Sequence, residues 1–539
     1  MYKYRWWLVW GVVAGAAASV MAAETPAYDL AKILADDERL YREWSQAEWD
    51  NSVYGEESDI AGLLEKYSYL SNDAGLLTFL REREAAAADP VEKRRLHYLY
   101  RDLATTYEAN KTVIFEDEIQ NHFAQDRIWV PGRPEPVPLR AVYPLIRRTD
   151  EEVPYTNLWY ASDNYVINVI NPLRRARLAV HDESTKAMGY ASYADFYYRV
   201  LGYAPGQPAT QAQRFRAETF PMYKEIITGR CRKLFKKDPA ETPPWESKNL
   251  WFGKEYDPYF PKEKFLTFTY GTFAAMGLDI RAMPNVQVDD ADRPEKEPRA
   301  ACFDFSVPGD VRVNLKPVGG GDDSETAFHE FGHACHAAWT DAALPFELRQ
   351  LGSNELTETY AMFFQGMFRD RTFLVEELGM PESVVDDYLL FGLANDLGSA
   401  RSTAFDVIYD EALHDGTRTP DDAKALYERL IDEQRLFPKY AINIESEYLN
   451  VDEGFYALYY GAAFYAAAQL KAVVVAKFGP RWYKNPATGE FLQGLFRQGN
   501  GPTVDEMLRQ IGYPEGVNPD YLVAEYKARY DEIKKKKGK

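Results

Sequence analysis

The sequence predicts a mainly α-helical fold with one small β element, and three observations carry that expectation. Apolar residues recur at three- and four-residue spacing over most of the chain; one stretch alone alternates strictly about a turn; and the breaks fall where Pro and Gly cluster. With 539 residues, 46% of them hydrophobic and a mean hydropathy of −0.45, the chain has ample core and fits no disordered class. That length allows several ordinary domains, yet large helical proteins are also built as one body divided by a cleft. The 38 Tyr and 11 Trp point to many half-wet aromatic positions lining surfaces or a channel.

At the start, Lys3 and Arg5 precede an apolar run from Trp6 to Val20 that ends in small residues, the layout of a secretory signal peptide over 1–22. The run is short for a bilayer span, no later run reads as a span, and the first cysteine is Cys231, far from any lipidation point. An exported protein, periplasmic or secreted, is expected, with no integral membrane span after cleavage. Cys231, Cys302 and Cys335 are too few and odd in number for a disulfide framework and read as core thiols. The formal charge of −20 becomes −20 − 2 = −22 once residues 1–22 and their two cations are removed, which speaks against nucleic acid as a partner. The basic run Lys534 to Lys537 reads as a solvated tail.

From about Tyr28 to Asn110 the pattern is helical, with Leu96, Leu99 and Leu103 on one stripe. Isolated His97 and His122 read as satisfied residues rather than ligands. Val130 to Pro138 is too rich in proline for helix and reads as a loop or short edge segment. Helix returns from Asn157 to Tyr203, one segment ending at Gly189 and the next beginning at Ser192, its aromatic stripe read as core. Asp238 to Pro261 lacks any period and reads as a long, cleft-lining connection and a candidate boundary. Ala301 to Val307 and Val311 to Lys316, joined by Pro308-Gly309-Asp310, form the one clear hairpin, with Val311, Val313 and Leu315 facing one way. Asp322 and Glu325 read as a capping pair for the helix that follows. Leu356 to Phe373, Ser383 to Leu397, Ser402 to His414, Pro420 to Leu436 and Gly454 to Lys477 all read as helices, with His414 a helix-end cation. The halves are set at 23–298 and 299–539.

Chemistry concentrates in His329-Glu330-Phe331-Gly332-His333. Two His four apart on a helix project from one face and can meet one Zn²⁺, and the Glu beside the first reaches the reacting water, a metallopeptidase arrangement. Two His leave such a site one ligand short, and the other His are scattered, so a carboxylate is the natural third. Glu355 and Glu358 share a face of the next helix; one can ligate while the other steadies a ligand. His336 shares the first face broadly but sits a turn further along.

His329-Glu330-Phe331-Gly332-His333, a Glu about 25 residues later and the Tyr-rich Gly454-Phe455-Tyr456-Ala457-Leu458-Tyr459-Tyr460-Gly461 together resemble the thimet oligopeptidase/oligoendopeptidase family of zinc peptidases, over about residues 299–478. More distantly the chain is similar to the angiotensin-converting-enzyme family. The resemblance implies a large helical, cleft-divided zinc-peptidase fold with a small sheet beside the active-site helix. It also implies one Zn²⁺ on His329, His333 and Glu358, with Glu358 preferred to Glu355. Tyr459 falls on a family Tyr that stabilises the oxyanion, whereas Ala462 stands where another would be, and no His follows His414 where the family places one near Asn450. Tyr456 or Tyr460 is the alternative donor.

The expected activity is hydrolysis of oligopeptides, with Glu330 as general base and Tyr459 or Tyr456 as oxyanion donor. By analogy with other zinc peptidases, the Val311 to Lys316 strand would pair with the substrate along an exposed edge. One alternative is a dipeptidyl carboxypeptidase, with Arg312, Lys316, Lys439 or Tyr456 anchoring the substrate's terminal carboxylate. Another is a non-catalytic zinc- or peptide-binding protein, which would not require Glu330. A monomer or homodimer is expected.

Overall fold

Helix makes up 71% of the structure and strand 4%, so the mainly α class with a small sheet is observed. The computed structural model describes residues 28–56, 59–438 and 443–537. The expected signal peptide, Lys439, Gly538 and Lys539 lie outside the described residues.

The helices that position the site begin with α1 (Pro90–Ala109), which starts where the Asp89 carboxylate accepts from the Val91 and Glu92 amides and Pro90 needs no donor of its own. It buries the Leu96, Leu99 and Leu103 stripe. Next come α2 (Val113–Gln125), α3 (Asn171–Ala187) and α4 (Tyr193–Leu201), the last opened by Ser192, whose hydroxyl accepts from the Asp195 amide. The long α5 (Gln207–Phe235) follows. Three strands, β1 (Val286–Asp289), β2 (Ala301–Ser306) and β3 (Asp310–Asn314), lead into α6 (Gly321–Trp339) and α7 (Asn354–Gln365). The C-terminal part is built on α8 (Glu382–His414), α9 (Tyr456–Phe478) and α10 (Asp520–Lys537).

Two large apolar cores result. One gathers Leu99, Phe196, Phe215, Leu397 and Leu458; the other, around α6 and α7, gathers Phe328, Phe331, Leu356, Phe364 and Leu470. Helices α8, α9 and α10 give residues to both, and the first core joins Leu99 to Leu397 across the 298/299 position. A smaller third core, including Val142 and Leu158, lies beneath the two-residue strands Arg127–Ile128 and Val137–Pro138, between which the Pro-rich segment turns.

The structure corrects several expectations. The hairpin is present, but β1 adds to it in parallel on the far side of β3, so the order is β1-β3-β2 and β3 is central. The Val311 to Lys316 strand therefore has no exposed edge to offer, and the edge nearest α6 belongs to β2. Helix α8 runs 33 residues without the expected break, and Gly398 within it lies against the Trp251 ring, where an added Cβ would meet it at 3.3 Å. The 238–261 stretch is a chain of short helical turns rather than an open connection; Tyr256 and Phe260 are buried against Tyr388. His414 is a buried, neutral ring rather than a cation: burial, then His181 and Arg177, hold its pKa well below 6.5. Finally, Glu453–Phe478 is long and apolar enough to cross a membrane by length and composition, contrary to expectation, and half of its most apolar window is buried in the fold.

Candidate metal centre

The chain enters α6 through Gly319 and Gly320, both at positive φ (97° and 101°). A side chain at Gly320 would place its Cβ 2.9 Å from Asp257 Oδ1. The expected Asp322/Glu325 capping pair is not used. Gly320 is the cap, Asp323 turns back to accept from the Val318 (2.5 Å) and Gly319 (2.6 Å) amides, and Glu325 pairs with Arg369 at 2.5 Å.

About two and three turns into α6, His329 and His333 point the same way, their Nε2 atoms 3.2 Å apart. Helix α7 lies against this face, and Glu358 Oε2 comes within 3.4 Å of His329 Nε2 and 3.8 Å of His333 Nε2. These side chains form a group that can hold a metal ion. The close approach depends on Gly332, between the two His: a Cβ there would sit 2.7 Å from the Ala361 Cα and 3.0 Å from the Tyr360 carbonyl. The far side of each ring is also fixed. His329 Nδ1 faces Gln365 Oε1 at 3.0 Å and His333 Nδ1 meets Thr357 Oγ1 at 2.8 Å, so α7 supplies both the carboxylate and the orienting partners.

Glu330, on the next face of α6, is 7% exposed and accepts the Cys302 amide of β2 at Oε2 (2.8 Å). Burial raises its pKa, against the opposing pull of His329. Glu355 is one turn before Glu358 but turns away, accepting from the Tyr203 hydroxyl at 2.8 Å. His336 is also excluded from the group: its Nε2 lies 3.1 Å from the Gly499 carbonyl, its ring packs on Tyr360, and burial lowers its pKa to about 4.

The late tyrosines divide by helix face. Tyr460 meets Glu358 through a side-chain hydrogen bond, and its hydroxyl pKa is raised first by burial and then by Glu358 and Glu330, so it stays a donor. Tyr456, one turn earlier, donates to the Tyr460 hydroxyl at 2.8 Å. Tyr459, the residue singled out by resemblance, is turned toward Glu355 and Arg101, whose charges act on its hydroxyl after burial. The reason is the 100° step of the helix: positions 456 and 460 share a face, and 459 falls beside it. Sequence reasoning missed Gly332, Thr357, Gln365 and the Cys302 amide; the seven-residue spacing from Glu358 to Gln365, two turns on one face, was the legible signal for Gln365.

Of the anchors considered for a substrate carboxylate, Arg312 is paired with Asp310 (2.7 Å) and lies on the Phe305 ring, and Lys316 binds the Arg293 (2.6 Å) and Lys296 (3.0 Å) carbonyls. Tyr456 lines a cavity of about 700 Å³ beside the centre, shared with Tyr459, Asn354 and residues of α1, α2 and α3. All three cysteines are free and buried. Comparison with protein-family models and with curated proteins returns no match to this chain.

Proposed function

We propose that this protein is a zinc-dependent peptidase that cleaves oligopeptides, of the kind the sequence resembles. The observation that carries the reading is the pairing of a three-ligand group with a buried, adjacent carboxylate. Tetrahedral zinc with ligands at about 2.0–2.1 Å separates them by about 3.3 Å, and the ligand-atom triangle here measures 3.2, 3.4 and 3.8 Å. Two imidazoles and one carboxylate are also a donor set that catalytic zinc takes, with a fourth position left for water, whereas a structural site is closed by four protein ligands. Zn²⁺ held by His329, His333 and Glu358 would supply Lewis acidity and make water a nucleophile near neutral pH.

The protein's own groups do the rest. Glu330 is tied at one oxygen by the Cys302 amide and presents the other to the water's proton, which it then passes to the leaving amine. Tyr460 replaces Tyr459 as the donor to the oxyanion, turning its one O–H from Glu358 to the substrate while Tyr456 donates to its oxygen. Of the hairpin strands, β2 and not β3 lies at the sheet edge that a substrate backbone can meet, and there its Cys302 amide and Asp304 carbonyl are held by Glu330 and Gln350.

The test is Glu330→Gln. Expected is unchanged zinc content with peptide hydrolysis reduced by about 10² to 10⁴-fold; rapid residual hydrolysis would remove Glu330 from the mechanism. A protein that binds zinc and peptides yet never cleaves them would favour the non-catalytic reading.

A further inference from the structure

The cavity is lined by Tyr456, which is linked through Tyr460 to Glu358, and by residues of α1, α2 and α3. At about 700 Å³ it is of ligand-binding size. Three arginines line it, and they differ in their commitments. Arg177 is neutralised by Glu116 at 2.7 Å and Glu453 at 3.2 Å. Arg101 donates to the Leu351 carbonyl, lies 4.8 Å from the Tyr98 ring centre and acts on the buried Glu355.

Arg174 is different. It is 8% exposed, and its hydrogen bonds run to neutral oxygens: Asn171 Oδ1 at 3.2 Å, the Ser446 carbonyl at 3.4 Å and Asn450 Oδ1. No ion pair between Arg174 and a carboxylate is found among the described residues. A buried cation is costly unless an anion reaches it, and several kcal/mol is the usual scale. The three bonds hold the guanidinium in place, two from Nη1 and one from Nη2, and none from Nε is found among the described residues. The Nε side of the guanidinium, which with Nη2 forms the edge that can grip a carboxylate bidentately, is thus left uncommitted. Glu447 and Glu116 also line the cavity and act on Arg174 through their charge, but neither comes within ion-pair distance of it, and the Glu447 carboxylate accepts instead from the Asn450 amide at 3.4 Å.

Building on the peptidase reading, we infer that Arg174 anchors a carboxylate of the bound peptide, supplied by its C-terminus or by an acidic side chain. It is a specificity-determining residue, in the cavity that Tyr456 also lines. Asn450 takes part by holding the guanidinium in register.

The experiment uses one peptide in three forms: free acid, C-terminal amide, and free acid with its Glu exchanged for Gln. Binding is measured by calorimetry on the zinc-loaded Glu330→Gln protein, with Arg174 intact or changed to Gln or Lys, and hydrolysis is measured on the otherwise native enzyme. With Arg174 intact, one of the two modifications weakens binding at least about tenfold, and which one does so identifies the source of the carboxylate. Arg174→Gln abolishes that difference by weakening the preferred form to the level of the other; Arg174→Lys, which keeps the charge without the fork, retains part of it and guards against a folding defect. Equal binding of all three forms to the Arg174 protein, or a preference that survives Arg174→Gln, overturns the inference. Arg174-dependent binding without hydrolysis by the native enzyme would instead sink the peptidase reading and leave the anchor standing.

Discussion

At the residue scale, the centre rests on a residue with no side chain. Gly332 lets the backbone of α7 reach the motif helix, and a methyl group there would meet the backbone at Ala361 and Tyr360 rather than a flexible side-chain end. Gly332→Ala is therefore expected to cost about 1–3 kcal/mol of stability and to lower zinc content by pushing Glu358 away. Thermal unfolding with metal analysis checks both, and an unchanged metal content would show that the helices can part without loss of the site. The two carboxylates of α7 separate in the same assay. Glu358→Ala should lose zinc, whereas Glu355→Ala should keep it, since Glu355 is bonded to Tyr203.

At the element scale, α7 and α9 act through their faces. Glu358 and Gln365 sit seven residues apart on α7, one beside the metal position and one behind His329. On α9 the face carrying Tyr456 and Tyr460 looks toward Glu358, and the face carrying Tyr459 looks toward Glu355. Tyr460→Phe should therefore lower kcat by about 10² to 10³-fold with little change in zinc content, and Tyr459→Phe should do far less. A larger loss from Tyr459→Phe would return the oxyanion role to the residue that sequence resemblance favours. The sheet teaches a related lesson. Its hairpin was legible from alternation, but β1, only four residues long and pairing in parallel, carried no turn signal that linked it to β3. Without it, β3 looked like an edge.

At the scale of the whole molecule, a buried polar network ties α1, α2 and α3 to the segment leading into α9. His181 Nδ1 lies 2.8 Å from Glu108 and its Nε2 3.5 Å from Glu453, which also pairs with Arg177. Tyr193 and the neutral His414 pack on its ring. Burial pulls the His181 pKa down, but Glu108 and then Glu453 outweigh it and raise the value from 6.5 to about 9. The folded state thus holds a proton that an unfolded His releases near 6.5, so this stabilisation is complete below that pH and is lost as pH rises through 9. Its size is about 3 kcal/mol. Unfolding midpoints should fall between pH 7 and 10 more steeply for the native protein than for His181→Gln; parallel curves would show that the network is not charged as described.

The sequence by itself determined the helical class, the hairpin, the two His on one helix face with a Glu beside them, and a carboxylate from the next helix. All of these are local: they follow from side-chain periodicity within a single element, which a linear pattern records. Tertiary structure alone decided which strand lies at the sheet edge, which of the tyrosines faces Glu358, that Gly332 sets the spacing of α6 and α7, and that Arg174 lines the cavity with no ion pair to a carboxylate among the described residues. Each of these depends on the rotation of one element against another, set by packing among residues far apart in the chain.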